Sequence, residues 1–147
     1  MVVDWWRESF NSFPEYRGEA LTLLSTAAEI ESIARIIGEN ALPDDQRLIL
    51  LTAELLREGF LRQSALSEID AYCEPEKQVL LLRMIIDFYK KAHNLILSRI
   101  PIDRIRSLPQ ISKMIRIKEN AKELITIEKL MDESNKELDR IALEYKV

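Results

Sequence analysis

Leu23, Ala27, Ile30, Ala34 and Ile37 recur three or four positions apart, the spacing that lays one apolar stripe along a helix. The pattern predicts a first helix over residues 14–37, with Glu15 as a favourable first-turn charge behind Pro14. Gly38 can take the left-handed conformation that ends a helix at little steric cost. Pro43 then fits the first position of a second helix, and Asp44 and Asp45 place carboxylates at the positive end of its dipole. That helix is expected over 43–58, burying Leu48, Leu51, Leu55 and Leu56 until Gly59 weakens it. Together these segments predict a tight helical hairpin with a charged tip.

Residues 62–75 read as a turn or short helix closed by Pro75. A third helix is expected over 76–97, with Val79, Leu82, Ile86, Tyr89 and Ile96 facing inward. Pro101 disfavours helix for the residue before it, so only a short helical turn fits 101–108, broken again by Pro109. From 111 to 145 the pattern is helical throughout. Leu124, Met131, Leu138 and Tyr145 repeat every seven residues, with Ile127 and Ile141 on the same seam and Ser134 interrupting it. Two or three heptads fit a terminal helix laid across a bundle better than a coiled coil. The fold class expected is all-α, a helical bundle of about four to six helices with a long C-terminal helix.

Composition supports this class. Only three glycines and five prolines in 147 residues argue for long regular elements rather than a loop-rich β fold. No apolar run approaches the roughly 20 residues that span a bilayer. The opening MVVDWWRESF lacks the basic and apolar regions of a secretory signal. A single cysteine, Cys73, excludes an internal disulfide and suits a reducing cytosol. The net charge of −4 conceals an asymmetry. Residues 1–75 carry 14 acidic and 6 basic side chains, and residues 76–147 carry 11 acidic and 15 basic. Overall acidity counts against a dedicated nucleic-acid binder, and the split fits an assembly in which each half meets a different neighbour. Residues 1–13 hold Trp5, Trp6, Phe10 and Phe13 without a helix of their own, and we expect them to be the remnant of a connection to a preceding domain, with 14–147 forming the bundle.

Candidate chemistry is sparse. The glycines at 18, 38 and 59 are isolated, so no phosphate-binding loop is present, and one cysteine with one histidine cannot hold a structural zinc. His93 has no serine or cysteine partner at motif spacing and reads as a packed or helix-capping side chain. Glu29 and Glu31 read as surface charges, and Cys73 beside Tyr72 as a small buried side chain. Arg99, Arg104, Arg106, Lys113, Arg116 and Lys118 have only Asp103 among them, a basic stretch that would attract phosphate or an acidic partner or simply face solvent. Two further readings stay open on the residues alone. One is a free-standing adaptor that binds a protein through the groove between the third and last helices; the other is a nucleic-acid-binding domain built on 99–118.

Four ordered motifs carry a resemblance. FPEYR (13–17), IIGENALPDDQR (36–47), LREGFLRQSAL (56–66) and DAYCEPEKQ (70–78) resemble, in order, the series found in the C-terminal helical domain of catalytic subunits of rotary ATPases, most closely the A subunit of the archaeal and vacuolar type. The likeness covers residues 5 to about 118, and Trp5 and Trp6 look like the tryptophans that follow the nucleotide-binding domain there. It implies a fragment without catalytic residues of its own, in a larger polypeptide that makes or hydrolyses ATP at an interface with B subunits, coupled to proton or sodium movement. ATP or ADP with magnesium, the polypeptide's own N-terminal nucleotide-binding domain, the B subunits and the central-stalk subunits are the implied cofactors and partners. No nucleic acid and no membrane insertion are implied. The implied location is cytoplasmic, peripheral on a membrane-bound complex.

The resemblance also implies two sites. Glu39, Asn40, Leu42, Pro43, Asp44 and Asp45 correspond to the acidic DELSEED-type segment that faces the central stalk. Phe60, Gln63, Leu66 and Tyr72 fall where family members pack on the adenine ring. Leu66 stands where the family usually has phenylalanine, and Tyr72 is the ring that would replace it. Asn40 and Gly59 stand where acids are usual.

Overall fold

From Val79 to Leu95 the chain buries Val79, Leu80, Leu81, Leu82, Met84, Ile85, Ile86, Phe88, Ala92 and Leu95. These residues cover most of the circumference of a helix, leaving a polar stripe of Arg83, Asp87, Lys90 and Asn94, so the helix has to be packed on every side but that one. The computed structural model describes residues 13–58, 75–116 and 124–145, and there this segment is the central helix. Six α-helices occupy the described residues: α1 (Phe13–Ile37), α2 (Asp44–Leu56), α3 (Pro75–Leu97), α4 (Ile102–Arg106), α5 (Pro109–Ile115) and α6 (Leu124–Glu144). A single 3₁₀ turn, Glu39–Ala41, lies between α1 and α2. With no strand among the described residues, the all-α bundle read from the sequence is the fold observed.

The central α3 packs against α1, α2 and α6, while α2 also meets α4 and α5, and α5 leans on α6. Leu48, Leu55, Leu80, Ile85, Ile86, Phe88 and Ile105 are among the fully buried side chains, so one core runs from α1 through α3 to α6. Three polar residues are buried in the bundle, Thr52, Gln110 and Ser134. Thr52 donates its hydroxyl to the Leu48 carbonyl at 2.9 Å, and Ser134 donates to Leu130 at 2.8 Å. Bonding back one turn satisfies each hydroxyl, which is how Ser134 sits buried on the seam it was expected to interrupt.

Four expectations need correction. The stripe on α1 holds for Leu23, Ala27 and Ile30 but fades toward the turn: Ala34 is half-buried and Ile37 is 53% exposed. The first helix, α1, opens at Phe13, one residue before the start expected from the sequence. Helix is not continuous from 111 to 145: α5 ends at Ile115, and Arg116 adopts φ −97° and ψ 4°. Apolar periodicity runs through both helices and no glycine or proline marks that end, so the pattern alone joins them. Tyr145, expected on the heptad seam, is 44% exposed, and Leu130 takes a buried place instead. The short α4 and the bundle placement of α6 match the reading from sequence.

Phe88 fills the middle of α3 at 2% exposure, so Phe88→Ala is expected to lower the unfolding free energy by about 3–5 kcal/mol in urea titrations followed by helical circular dichroism.

Candidate functional site at the hairpin turn

The turn is assembled from backbone rules first. The Gly38 N–H donates to the Ala34 carbonyl at 2.8 Å and closes α1. Gly38 has φ +88°, as its sequence position suggested, but ψ is 144°, so the chain leaves extended instead of curling into a left-handed cap. Ala41 and Leu42 N–H groups then donate to Gly38 and Glu39 carbonyls, forming the 3₁₀ turn. Pro43, expected at the first helical position, lies one place earlier as the N-cap (φ −60°, ψ 155°), and its carbonyl accepts the Arg47 N–H at 3.0 Å. Proline suits that place because its fixed φ is compatible and no donor is needed. Asp44 and Asp45 thus open α2, as the dipole argument requires.

Side chains then tie the turn to a distant segment. The Asp44 Oδ2 accepts the backbone N–H of Ile102 at 3.2 Å, so this one carboxylate sits at the positive ends of both α2 and α4. Arg47 reaches Asp103 at 3.0 Å and Asp44 at 3.9 Å, and Arg106 reaches Glu39 at 3.1 Å. Leu42 is 5% exposed, so of the six turn residues singled out from sequence it is the one the bundle itself covers. Asn40, Pro43 and Asp45 face outward. Burial pushes the Tyr89 phenol up, and the Asp45 carboxylate pushes it further. The surroundings of the turn, Arg47, Asp103 and Arg106, were not singled out as part of it. Only the Asp44–Arg47 spacing hinted at them, because Asp103 and Arg106 lie more than fifty residues away in sequence.

The basic stretch is also altered by folding. Arg104 pairs with Glu144 at 2.7 Å, Arg106 with Glu39, and Lys113 with Glu133 at 3.3 Å. Hydrogen bonding to Arg104 holds the Glu144 carboxyl below the ordinary carboxylate range. His93 stacks on Tyr89 with ring centroids 5.8 Å apart, which agrees with a packing role. Among the described residues no group of three or more His, Cys, Asp or Glu could hold a metal ion, and no helix is long and apolar enough to cross a membrane.

At the other end of α2, Phe13, Arg17, Leu21, Leu24, Leu56, Gln78 and Leu82 line an open apolar groove. The 13 residues of α2 separate this groove from the turn by about 18 Å at 1.5 Å per residue. Phe60, Gln63, Leu66, Tyr72 and Cys73 lie outside the described residues, between Leu56 and the start of α3.

Two substitutions test how the turn is built. Gly38→Ala meets no atom within 4 Å but has to adopt a positive φ, so a loss of about 1–3 kcal/mol in urea unfolding is expected from backbone strain alone. Asp44→Ala removes the acceptor for Ile102 and is expected to cost about 0.5–2 kcal/mol in the same assay, whereas Asp45→Asn should stay within about 0.5 kcal/mol of the parent.

Comparison with known proteins places this architecture. Residues 4–106 match the family described as the C-terminal domain of V and A type ATP synthase. The A subunit of the A-type ATP synthase of Thermofilum pendens is 49% identical over the whole chain, which spans 25% of that relative. Those of Thermococcus onnurineus and Pyrococcus horikoshii are 36% and 37% identical over 98% of the chain, covering 25% and 15% of their lengths. The chain therefore spans about a quarter or less of the relatives it matches. On a family match that includes α1 through α4 and a relative at 49% identity from end to end, the chain belongs to the C-terminal domain family of V and A type ATP synthases, with the A subunits of A-type ATP synthases as its kin.

Proposed function

We propose that this bundle is the lever of a catalytic subunit, carrying motion between a nucleotide site and the central stalk of a rotary ATP synthase. The observation that carries the proposal is the anchoring of the turn. Asp44 on Ile102, Arg47 on Asp103 and Glu39 on Arg106 fasten the hairpin tip to α4, which is buried through Ile102 and Ile105. A push on the tip is thereby delivered to the core through several contacts instead of bending a loop. The α1–α2 packing is reinforced by the Arg57–Glu31 ion pair toward the far end. Stiffness between two ends about 18 Å apart is what a lever needs.

In this proposal the outward-facing Asn40, Pro43 and Asp45, with Glu39 beside them, meet the central stalk. Phe60, Gln63, Leu66 and Tyr72 would lie on the adenine side of ATP or ADP bound with magnesium by the nucleotide-binding domain of the same polypeptide. The B subunits complete the reaction interface, the coupled ion is a proton or sodium, and the bundle works on the cytoplasmic side without entering the membrane. Catalysis itself belongs to residues outside this chain. A free-standing adaptor is not favoured by the family match, and the internal pairing of Arg104, Arg106 and Lys113 removes much of the charge a nucleic acid would need.

The test is made in the full-length catalytic polypeptide, in complex with B and central-stalk subunits. Asp45→Lys is expected to weaken stalk binding about fivefold at low salt, with the difference shrinking as salt screens it, while ATP hydrolysis by the A–B ring alone persists. Stalk affinity that is unchanged at low salt would count against the lever contact.

A further inference from the structure

The connection from α3 to α4 contains a residue whose backbone and side chain pull in different directions. The Ile100 N–H donates to the Leu95 carbonyl at 3.1 Å, and the Arg99 N–H donates to Ile96 at 2.9 Å. These two bonds are the closing pair of a Schellman motif, and the buried Leu95 and Ile100 supply its apolar contact. The residue just past the helix end in that motif takes positive φ, and glycine is the usual occupant because other residues meet a steric cost there. Here it is Arg99, at φ +68°, the one non-glycine residue with positive φ among those described.

Among the described residues nothing rewards that choice. Arg47, Arg104 and Arg106, the other arginines of this end, each hold a carboxylate within 3.1 Å. Arg99 is exposed and has no ion pair or hydrogen-bonded partner for its side chain among the described residues. Its neighbours are outward too: Leu97 is 68% exposed, and Ser98 and Pro101 are exposed. The knuckle is nevertheless held firmly, because Ile100 and Ile102 are each 1% exposed and the Ile102 N–H is bonded to Asp44. Arg99 therefore stands three residues, at most about 10 Å of chain, from the atom that ties α4 to the hairpin turn.

Backbone strain carried by a side chain with no partner among the described residues points to an external one. We propose that Arg99 is a second contact residue on the tip face, binding a carboxylate of the same central-stalk partner that meets the turn. The proposal rests on the lever reading for the identity of that partner. The tip face then offers two opposite charges in fixed relation, Asp45 on the turn and Arg99 on the knuckle, so the partner surface has to present a base and an acid in matching order. Such a pair sets orientation more strongly than a single acidic patch, since reversal brings like charges together.

Three variants separate this role from a structural one. Arg99→Gly relieves the strain and should raise the urea midpoint of the chain, while weakening binding of the assembled A–B ring to the central-stalk subunits roughly tenfold, the loss expected for one charge-assisted contact. Arg99→Lys keeps both strain and charge, so its midpoint should match the parent and its binding should fall less than that of Arg99→Gly. Asp45→Lys in the same assay reports on the turn. If Arg99→Gly fails to raise the midpoint, or raises it and binds the stalk as the parent does while Asp45→Lys binds more weakly, the contact role of Arg99 is overturned and the lever reading survives. If neither Arg99→Gly nor Asp45→Lys alters stalk binding, both are overturned.

Discussion

Burial of α3 on every side but the Arg83–Asp87–Lys90–Asn94 stripe is the constraint from which the rest of the bundle follows. A helix with Leu80, Leu81, Met84, Ile85 and Phe88 pointing in different directions cannot be left on a surface. It has to be wrapped, and the apolar faces of α1, α2 and α6 do the wrapping. Each of those helices is only half apolar and depends on α3 to cover its stripe. Because the hydrophobic term has no direction, it fixes which faces meet but leaves helix ends and turns to be placed by hydrogen bonds and charges.

The hairpin turn is where those polar terms decide the geometry. From the first turn of α2, Asp44 accepts the first N–H of α4, and Arg47 and Arg106 add pairs on either side. Pairs this exposed contribute little each. Their effect is positional: they hold the tip against α4 in one register. The turn consequently has less free negative charge than its composition suggests, since Glu39 and Asp44 are engaged within the chain and Asp45 is left facing outward. A tip of this kind is stiff and only weakly charged. In the proposed lever, that would let the tip press on a moving partner without clinging to it.

Local rules accounted for much of this. The stop after Ile37, the acidic start of α2, the short α4 bracketed by Pro101 and Pro109 and the buried Leu48, Leu51, Leu55 and Leu56 were all legible, because each depends on neighbours within one helical turn. The end of α5 was not legible, since no residue there forbids helix. Nor was the exposure of Ile37 or Tyr145, which depends on what the rest of the chain packs against each helix end.

The chain by itself determined helix, turn and apolar face, and its motif order determined its kin. Only the tertiary structure decided which charges remain available. Asp103 and Arg47 are 56 residues apart, and Glu39 and Arg106 are 67 apart. Pairing over that separation exists only after the core has brought α4 beside the turn, so sequence shows the charges but not their neutralisation. The same holds for Arg99, whose positive φ arises from the closing of α3 onto Ile100.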